Sequence, residues 1–442
     1  MVAESADAEA TIKATNIVRE WCNMARPMLL HFAVLASAAD ADATRVDECA
    51  EPSNAALIYA CAPSRQTQRS YAMVLLRIAS IVALARTAQA LHHVSPSTRR
   101  RFAAYAANNN GDDARRVVFL GSPGVAALTL EALLDASAEG RGGGFEVVAA
   151  VSQPPAPKGR KRALAKSEVH ELAEARGVPC LTPASARDPE FLAALEALDV
   201  DLCVTAAYGQ FLPKAFLAIP KHGTMNVHPS LLPRWRGAAP LQRSLEAGDA
   251  EVGVTVLRTV LKMDAGPVAA QRTRAVEDGD DCAALLDELF GVGAQLLIDD
   301  VMPGLWDGSL ECAPQDGDLA TEAPKLTKDE GALDLGGPGD DGRSAARRAA
   351  DKVRAFTPWP GTHVPVRVGD RPDVERLKIL AARVAPECPA GGALAKVGKA
   401  VLLPCADGSA LELLKVQPAN RKPMDAAAYW NGLRGDACTP AA

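Results

Sequence analysis

Arg116-Val117-Val118-Phe119-Leu120-Gly121-Ser122-Pro123-Gly124, residues 116–124, reads as a short apolar strand running into a tight turn. Four consecutive large apolar side chains without alternation suit a strand covered on both faces, as in a parallel sheet. The chain then turns, and Val125 to Ala136 has helical spacing. The turn falls short of a full G-x-G-x-x-G, so by itself it is weak support for a nucleotide site and serves equally as a plain strand-to-helix turn.

The rhythm continues outward from this point. Phe145 to Ser152 is the next strand, Val169 to Arg176 a helix, Val178 to Leu181 strand-like, Phe191 to Leu198 a helix and Leu202 to Ala206 a strand. Strands alternating with helices predict βαβ units, hence a Rossmann-like α/β domain with a parallel sheet and right-handed crossovers, over about 115–320. Asp316 to Leu326 is polar and turn-rich, and Gly336 to Gly342 is a Gly/Asp loop. Ser344 to Phe356 has helical spacing, so 321–361 reads as a linker with a helix. From Thr362 short strands recur between turn residues: Val364–Val368, Leu377–Val384, Gly398–Leu403 and Ala410–Val416. That spacing predicts a small β-barrel over 362–442. No internal repeat is evident.

Residues 1–114 differ. Between Gln66 and Gly111 there is no acidic residue, and Arg69, Arg77, Arg86, Arg99, Arg100 and Arg101 stand among Ala, Ser, Leu and Ile. An arginine-rich, acid-free, partly amphipathic run matches an organelle transit peptide, the alternative being a disordered basic arm. Over the 442 residues, hydrophobic content is 48% and charged content 23%, as in a soluble globular protein. A net charge of −6 argues against nucleic-acid binding over the whole surface. The ten cysteines include no C-x-x-C pair, which suits free thiols in a reducing compartment. The seven histidines form no H-E-x-x-H, so no metal site is expected, and no apolar run reaches the length of about 18 residues that a membrane span needs.

The chemistry is read from Met225-Asn226-Val227-His228-Pro229-Ser230-Leu231-Leu232-Pro233-Arg234-Trp235-Arg236-Gly237. In a strand, residues i and i+2 share a face, so Asn226 and His228 can converge on one small group. Pro229 and Pro233 end the regular structure, which places the pair at a strand end, where open α/β sheets bind ligands. Thirty-six residues beyond His228, Met263-Asp264-Ala265-Gly266 offers a carboxylate in a Gly-containing turn. An amide that holds an oxyanion, an imidazole that moves a proton and a carboxylate that orients the imidazole can together perform acyl transfer to an amine. Taken singly, His228 could be structural and Asp264 a turn residue. The run Gln153 to Lys166 carries Lys158, Arg160, Lys161 and Arg162 between a strand and a helix. It is either a solvated loop or a phosphate-contacting one. Trp235, between Arg234 and Arg236, can stack on a substrate or simply pack.

At these residues the chain resembles the methionyl-tRNA formyltransferases, from about Arg115 to the C-terminal end. The matching segments are VVFLGSP (117–123), VSQPPAPKGRKRAL (151–164), AAYGQFLP (206–213), MNVHPSLLPRWRGAAPLQRSLEAGD (225–249), AFTPWPGT (355–362) and LELLKVQPANRKPM (411–424). The Asn-x-His…Asp core is common to 10-formyltetrahydrofolate-dependent formyltransferases and specifies chemistry, not acceptor. The resemblance implies a Rossmann-like formyltransferase domain followed by an OB-like barrel, with Asn226, His228 and Asp264 catalytic. It implies that folate lies along Tyr208, Gly209, the turn Ser230, Leu231, Leu232, Pro233, and Gly266. It also implies initiator methionyl-tRNA as partner, held by Lys158, Arg160, Lys161, Arg162, Arg234, Arg236 and the barrel, with the enzyme a monomer working without metal in a mitochondrion or chloroplast. Two departures stand out: Gly124-Val125 where the family commonly has Asp-Phe, and Asp264-Ala265-Gly266-Pro267 where many members have Asp-Thr-Gly-Asp. Other readings are a formyltransferase acting on a small amine, such as a glycinamide ribonucleotide or an amino sugar, and a non-catalytic tRNA- or folate-binding protein.

Overall fold

The computed structural model describes residues 114–159 and 162–441. The leader expected over 1–114 lies outside the described residues except for Ala114, and so do Arg160 and Lys161.

The first sheet is assembled from β1 (Arg115–Gly121), β2 (Phe145–Val151), β5 (Cys180–Leu181), β6 (Leu202–Ala206), β7 (Thr224–His228), β9 (Glu251–Arg258) and β10 (Val268–Ala275). Its order is β10-β9-β7-β6-β1-β2-β5. From β5 to β7 the strands are parallel, while β9 and β10 are antiparallel additions. The apolar run of β1 is covered on both faces. Val117 and Phe119 join one core with Leu130 and Leu133 of helix α1 (Gly124–Glu139), and Val118 and Leu120 join another. Helices α2 (Glu168–Ala175), α3 (Pro189–Ala197) and α4 (Lys214–Leu217) follow as the crossovers require. Helix α5 (Pro240–Ala247) comes after β7, and α6 (Cys282–Gln295) continues through a wide turn, Leu296–Val301, into α7 (Met302–Asp307). The strand expected at Val178–Leu181 shrinks to two residues because Pro179 has no N–H to give to a ladder, although its carbonyl accepts from Ala150 N–H at 2.9 Å.

The basic run read as a loop is a small hairpin. Strands β3 (Ala156–Lys158) and β4 (Ala163–Ala165) pair antiparallel, with Gly159 and Arg162 at the tip. Two short strands stitch the linker to the first domain: β8 (Arg236–Gly237) pairs parallel with β11 (Glu322–Ala323).

Helix α8 (Ala345–Phe356) starts at Ser344, whose hydroxyl accepts from Arg347 N–H, and leads into the second sheet. That sheet runs β14-β15-β16-β13-β12-β18, all antiparallel, with β17 added on β16. The strands are β12 (Thr362–Val368), β13 (Glu375–Val384), β14 (Ala395–Val397), β15 (Ala400–Pro404), β16 (Ala410–Gln417), β17 (Met424–Asp425) and β18 (Cys438–Pro440), with α9 (Ala426–Gly432) between the last two. Strand β12 alternates, with Thr362, Val364, Val366 and Val368 buried. The sheet curls until its ends meet: the N–H of Leu394, next to β14, donates to the Cys438 carbonyl of β18 at 2.7 Å. It is a curled half-barrel, in keeping with the barrel expected. The single strand read at Gly398–Leu403 is instead the second arm of a hairpin. Gly398, at φ 59°, supplies the positive-φ position of a two-residue turn between β14 and β15.

Candidate active site

Strand β7 ends at the carboxyl edge of the parallel sheet, as do β1, β2 and β6, and its last residues carry the expected pair. Asn226 lies opposite Thr205 of β6, and the Thr205 hydroxyl donates to Asn226 Oδ1 at 2.8 Å. The amide oxygen is thereby engaged, which leaves the Nδ2 hydrogens as the donors of the side chain.

His228 is 4% exposed. Its Nε2 stands 3.0 Å from the carbonyl oxygen of Trp235. A carbonyl oxygen only accepts, so Nε2 carries a hydrogen and donates it. The atom able to gain or lose a proton is therefore Nδ1, which faces Asp264 Oδ1 across 3.8 Å. The other carboxylate oxygen of Asp264 accepts the Gly237 N–H at 2.9 Å. Asp264 has a left-handed backbone, φ 49°. At Gly266 a Cβ would lie 1.7 Å from the Arg258 carbonyl, so only glycine fits there. The Ala265 and Pro267 departures do not open the turn. Pro267 contributes its carbonyl, which accepts from Arg258 N–H at 2.9 Å, and its missing N–H is not needed.

The segment after His228 is tied down by one buried hydroxyl. Thr255 Oγ1 donates to the Ser230 carbonyl at 2.6 Å and accepts from Leu232 N–H at 3.2 Å and Gln271 Nε2 at 2.8 Å. Gln271 Nε2 also reaches the Leu232 carbonyl at 2.7 Å, and Ser230 Oγ donates to the Arg234 carbonyl at 2.8 Å. These bonds fix the Ser230–Pro233 turn beside Asn226 and His228. Leu232 is buried and Leu231 half-buried.

Not every expected binding residue is free. Trp235 Nε1 donates to Asp249 Oδ2 at 2.7 Å, and Arg234 lies over the Trp235 ring and pairs with Asp249 Oδ1 at 2.7 Å. Trp235 therefore packs. Arg236 gives Nε and Nη2 to Gln315 Oε1 at 3.0 and 2.7 Å. Tyr208 is buried at the same sheet edge, its carbonyl held by Gln153 Nε2 at 3.0 Å, and burial pushes its phenol up. Gly209 follows at φ 78°, with Phe211 half-exposed beyond it. Val125, at the position where the family commonly has an aromatic, packs against the core.

The hairpin β3–β4 leaves the carboxyl end of β2, so it rises from the same edge as the pair. Lys158 Nζ is 2.6 Å from Glu168 Oε1, and that carboxylate raises the lysine pKa. Arg162 is exposed at the tip.

Sequence reasoning passed over Thr205, Thr255, Asp249 and Gln315. The two threonines left a signal, each being a lone hydroxyl inside an apolar strand (LCVTA and VGVTVLR). A buried polar group of that kind needs a partner, and here the partners are the site. Asp249 and Gln315 left none.

Known proteins converge on the same reading. Residues 115–301 match the family described as formyl transferase, and residues 343–434 that described as formyl transferase, C-terminal domain. The methionyl-tRNA formyltransferase of Methylobacterium sp. (strain 4-46) is 41% identical over 319 residues, 72% of this chain and 96% of the relative. That of Methylococcus capsulatus (strain ATCC 33009 / NCIMB 11132 / Bath) is 40% identical with the same coverage. That of Roseiflexus sp. (strain RS-1) is 40% identical over 327 residues, 72% of this chain and 93% of the relative.

Proposed function

The chain belongs to the methionyl-tRNA formyltransferase family, and from that premise we propose that Asn226, His228 and Asp264 carry formyl transfer from N10 of 10-formyltetrahydrofolate to the α-amine of methionyl-tRNA. The amine attacks the formyl carbon, and negative charge builds on the formyl oxygen. Asn226 Nδ2 donates to that oxygen, with Thr205 holding the amide the right way round. The new C–N bond leaves the amine with a proton to lose, and N10 needs one as its bond to the formyl carbon breaks. His228 Nδ1 takes the first and delivers the second, directly or through a water, and ends as it began. While the ring is protonated, its Nε2–H rests on the Trp235 carbonyl and its Nδ1–H faces the Asp264 carboxylate. The folate takes the edge formed by Tyr208, Gly209, the Ser230–Pro233 turn and Gly266.

The tRNA is assigned to the hairpin with Lys158, Arg160, Lys161 and Arg162 for the acceptor end, and to the curled sheet for the body. The carrying observation is the meeting of Asn226, His228 and Asp264 at the carboxyl edge of the sheet beside that basic hairpin. Labelled formyl transfer to charged initiator tRNA, charged elongator tRNA, glycinamide ribonucleotide and an amino sugar tests the reading. Transfer to the initiator well above the other three is expected. Saturable transfer to a free amine at comparable efficiency would replace it. The arginine-rich run 66–111 supports import into a mitochondrion or chloroplast, where the product would start translation. N-terminal sequencing of the mature protein checks this, since an unprocessed Met1 contradicts it.

A further inference from the structure

Gln315 lies in the segment between α7 and the linker, beyond the segment matched by the formyl transferase family, yet its side chain touches the Asp264 turn. Its Nε2 is 2.8 Å from the Asp264 carbonyl and 2.7 Å from the Gly266 carbonyl. Its Oε1 accepts both Nε and Nη2 of Arg236. A primary amide has two hydrogens and two lone pairs, and all four are used here. The orientation has one solution, because only the NH2 group can meet two carbonyls and only the oxygen can meet a guanidinium.

The backbone that presents Gln315 is fixed on both sides. Two residues earlier, Ala313 exchanges both backbone hydrogen bonds with Val268 of β10, at 2.8 Å each. Six residues later, Thr321 receives Arg236 N–H on its carbonyl at 2.8 Å and Trp235 N–H on its hydroxyl at 2.9 Å. The segment 313–321 therefore runs across the site as a strap. It grips the Asp264 turn through Gln315, and through Thr321 it grips Trp235, the residue whose carbonyl holds His228. Asp264 adopts a left-handed backbone, φ 49°, which aspartate enters more readily than most side-chain-bearing residues but which still costs more than the right-handed region, and the strap's bonds to its carbonyl and to Gly266 hold it there.

We propose that Gln315 is a positioning residue for formyl transfer, bridging Arg236 to the Asp264 turn so that the carboxylate stays facing His228 Nδ1. In consequence Arg236 acts as a strut of the turn and not as a phosphate contact. The proposal rests on the formyl-transfer reading, and wild-type enzyme in the same assay separates the two. Wild type without formyl transfer removes the reading itself; active wild type leaves the variants to decide on Gln315.

The variants are Gln315→Leu, which loses every bond, and Gln315→Glu, which keeps acceptors for Arg236 but has no N–H for the two carbonyls. Misplacement of a catalytic group by about 1 Å can cost on the order of 100-fold in rate. Each variant is expected to lose roughly 10- to 100-fold in kcat, with KM for methionyl-tRNA and for 10-formyltetrahydrofolate within about threefold of wild type. In an Asp264→Asn background, Gln315→Leu should cost almost nothing more, because a residue acting only through Asp264 has nothing left to position. Arg236→Met should likewise lower kcat and leave the salt dependence of tRNA binding unchanged. A kcat within twofold of wild type in both Gln315 variants overturns the proposal. So does a loss that multiplies with Asp264→Asn, or a lowered Tm with unchanged kcat per folded enzyme.

Discussion

At the scale of single residues, the site works by removing choices. Asn226 has its oxygen taken by Thr205, and His228 has its Nε2 taken by a carbonyl, so one amide donor group and one ring nitrogen remain. His228→Ala and Asn226→Ala are each expected to lower kcat by about 100-fold or more, with tRNA binding retained. Asp264→Asn should fall as far, since a neutral amide cannot support the imidazolium. Single-turnover formylation beside filter binding checks all three, and turnover within a few-fold of wild type in any of them removes that residue from the mechanism. Thr205→Val keeps the shape of the strand and removes only the hydroxyl that sets the Asn226 amide. It should cost on the order of 10-fold in kcat with little change in stability, measured by the same assay and by thermal melting, because the amide is then free to turn. The spacing Asn-x-His was legible because it is local to one strand. The partners of Thr205, Thr255 and Gln315 were not, because each acts on residues 20 or more away, and nothing in a sequence shows which strands become neighbours.

At the scale of elements, the alternation of apolar strand and amphipathic helix was legible from 116 to 206, since burial on both faces leaves an unbroken apolar run. The antiparallel pair β9–β10 and the hairpin β3–β4 were not, because their pairing depends on register rather than on composition. Helix α2 supplies a competitor for the hairpin's charge: Lys158 is paired with Glu168, the first residue of that helix. An exposed pair of this kind contributes little to stability, so its partners exchange readily with a phosphate. Glu168→Gln is therefore expected to tighten binding of methionyl-tRNA at low salt. Lys158→Ala should weaken binding and flatten its salt dependence by about one phosphate. Affinity measured at several salt concentrations checks both, and an unchanged slope in Lys158→Ala would reduce the hairpin to a bystander.

At the scale of the whole molecule, the linker and α8 hold the catalytic domain and the curled sheet in contact. Arg243 of α5 bridges Glu246 in its own helix and Glu330 in the linker at 2.8 and 2.7 Å. Arg243 holds the Glu330 carboxyl well below its usual value of 4.5, at about 2. A carboxylate whose folded pKa is depressed adds stability that is fully present above its unfolded value and is lost as pH falls through the folded one. The Tm difference between wild type and Glu330→Gln should therefore be constant above about pH 5 and close progressively toward pH 2. A gap independent of pH over that range would mean that the bridge does not couple to folding. The second sheet and its curl were legible from the recurrence of short strands. The bond that joins its edges, Leu394 to Cys438, was not, because it links residues 44 apart with no motif between them.

Helix α8 belongs to two interiors at once. Ala355 and Phe356 are buried with the strands of the first sheet, while Ala349, Ala350 and Val353 are buried with those of the second. Neither domain is a cassette that could be lifted out with its core complete: a cut before Ser344 robs the first of its plug, and a cut after Phe356 robs the second of its floor. An exchange of the second domain for another could preserve both halves only by carrying this one helix along together with the surface that receives it. The seam between these domains is thus drawn through the inside of an element.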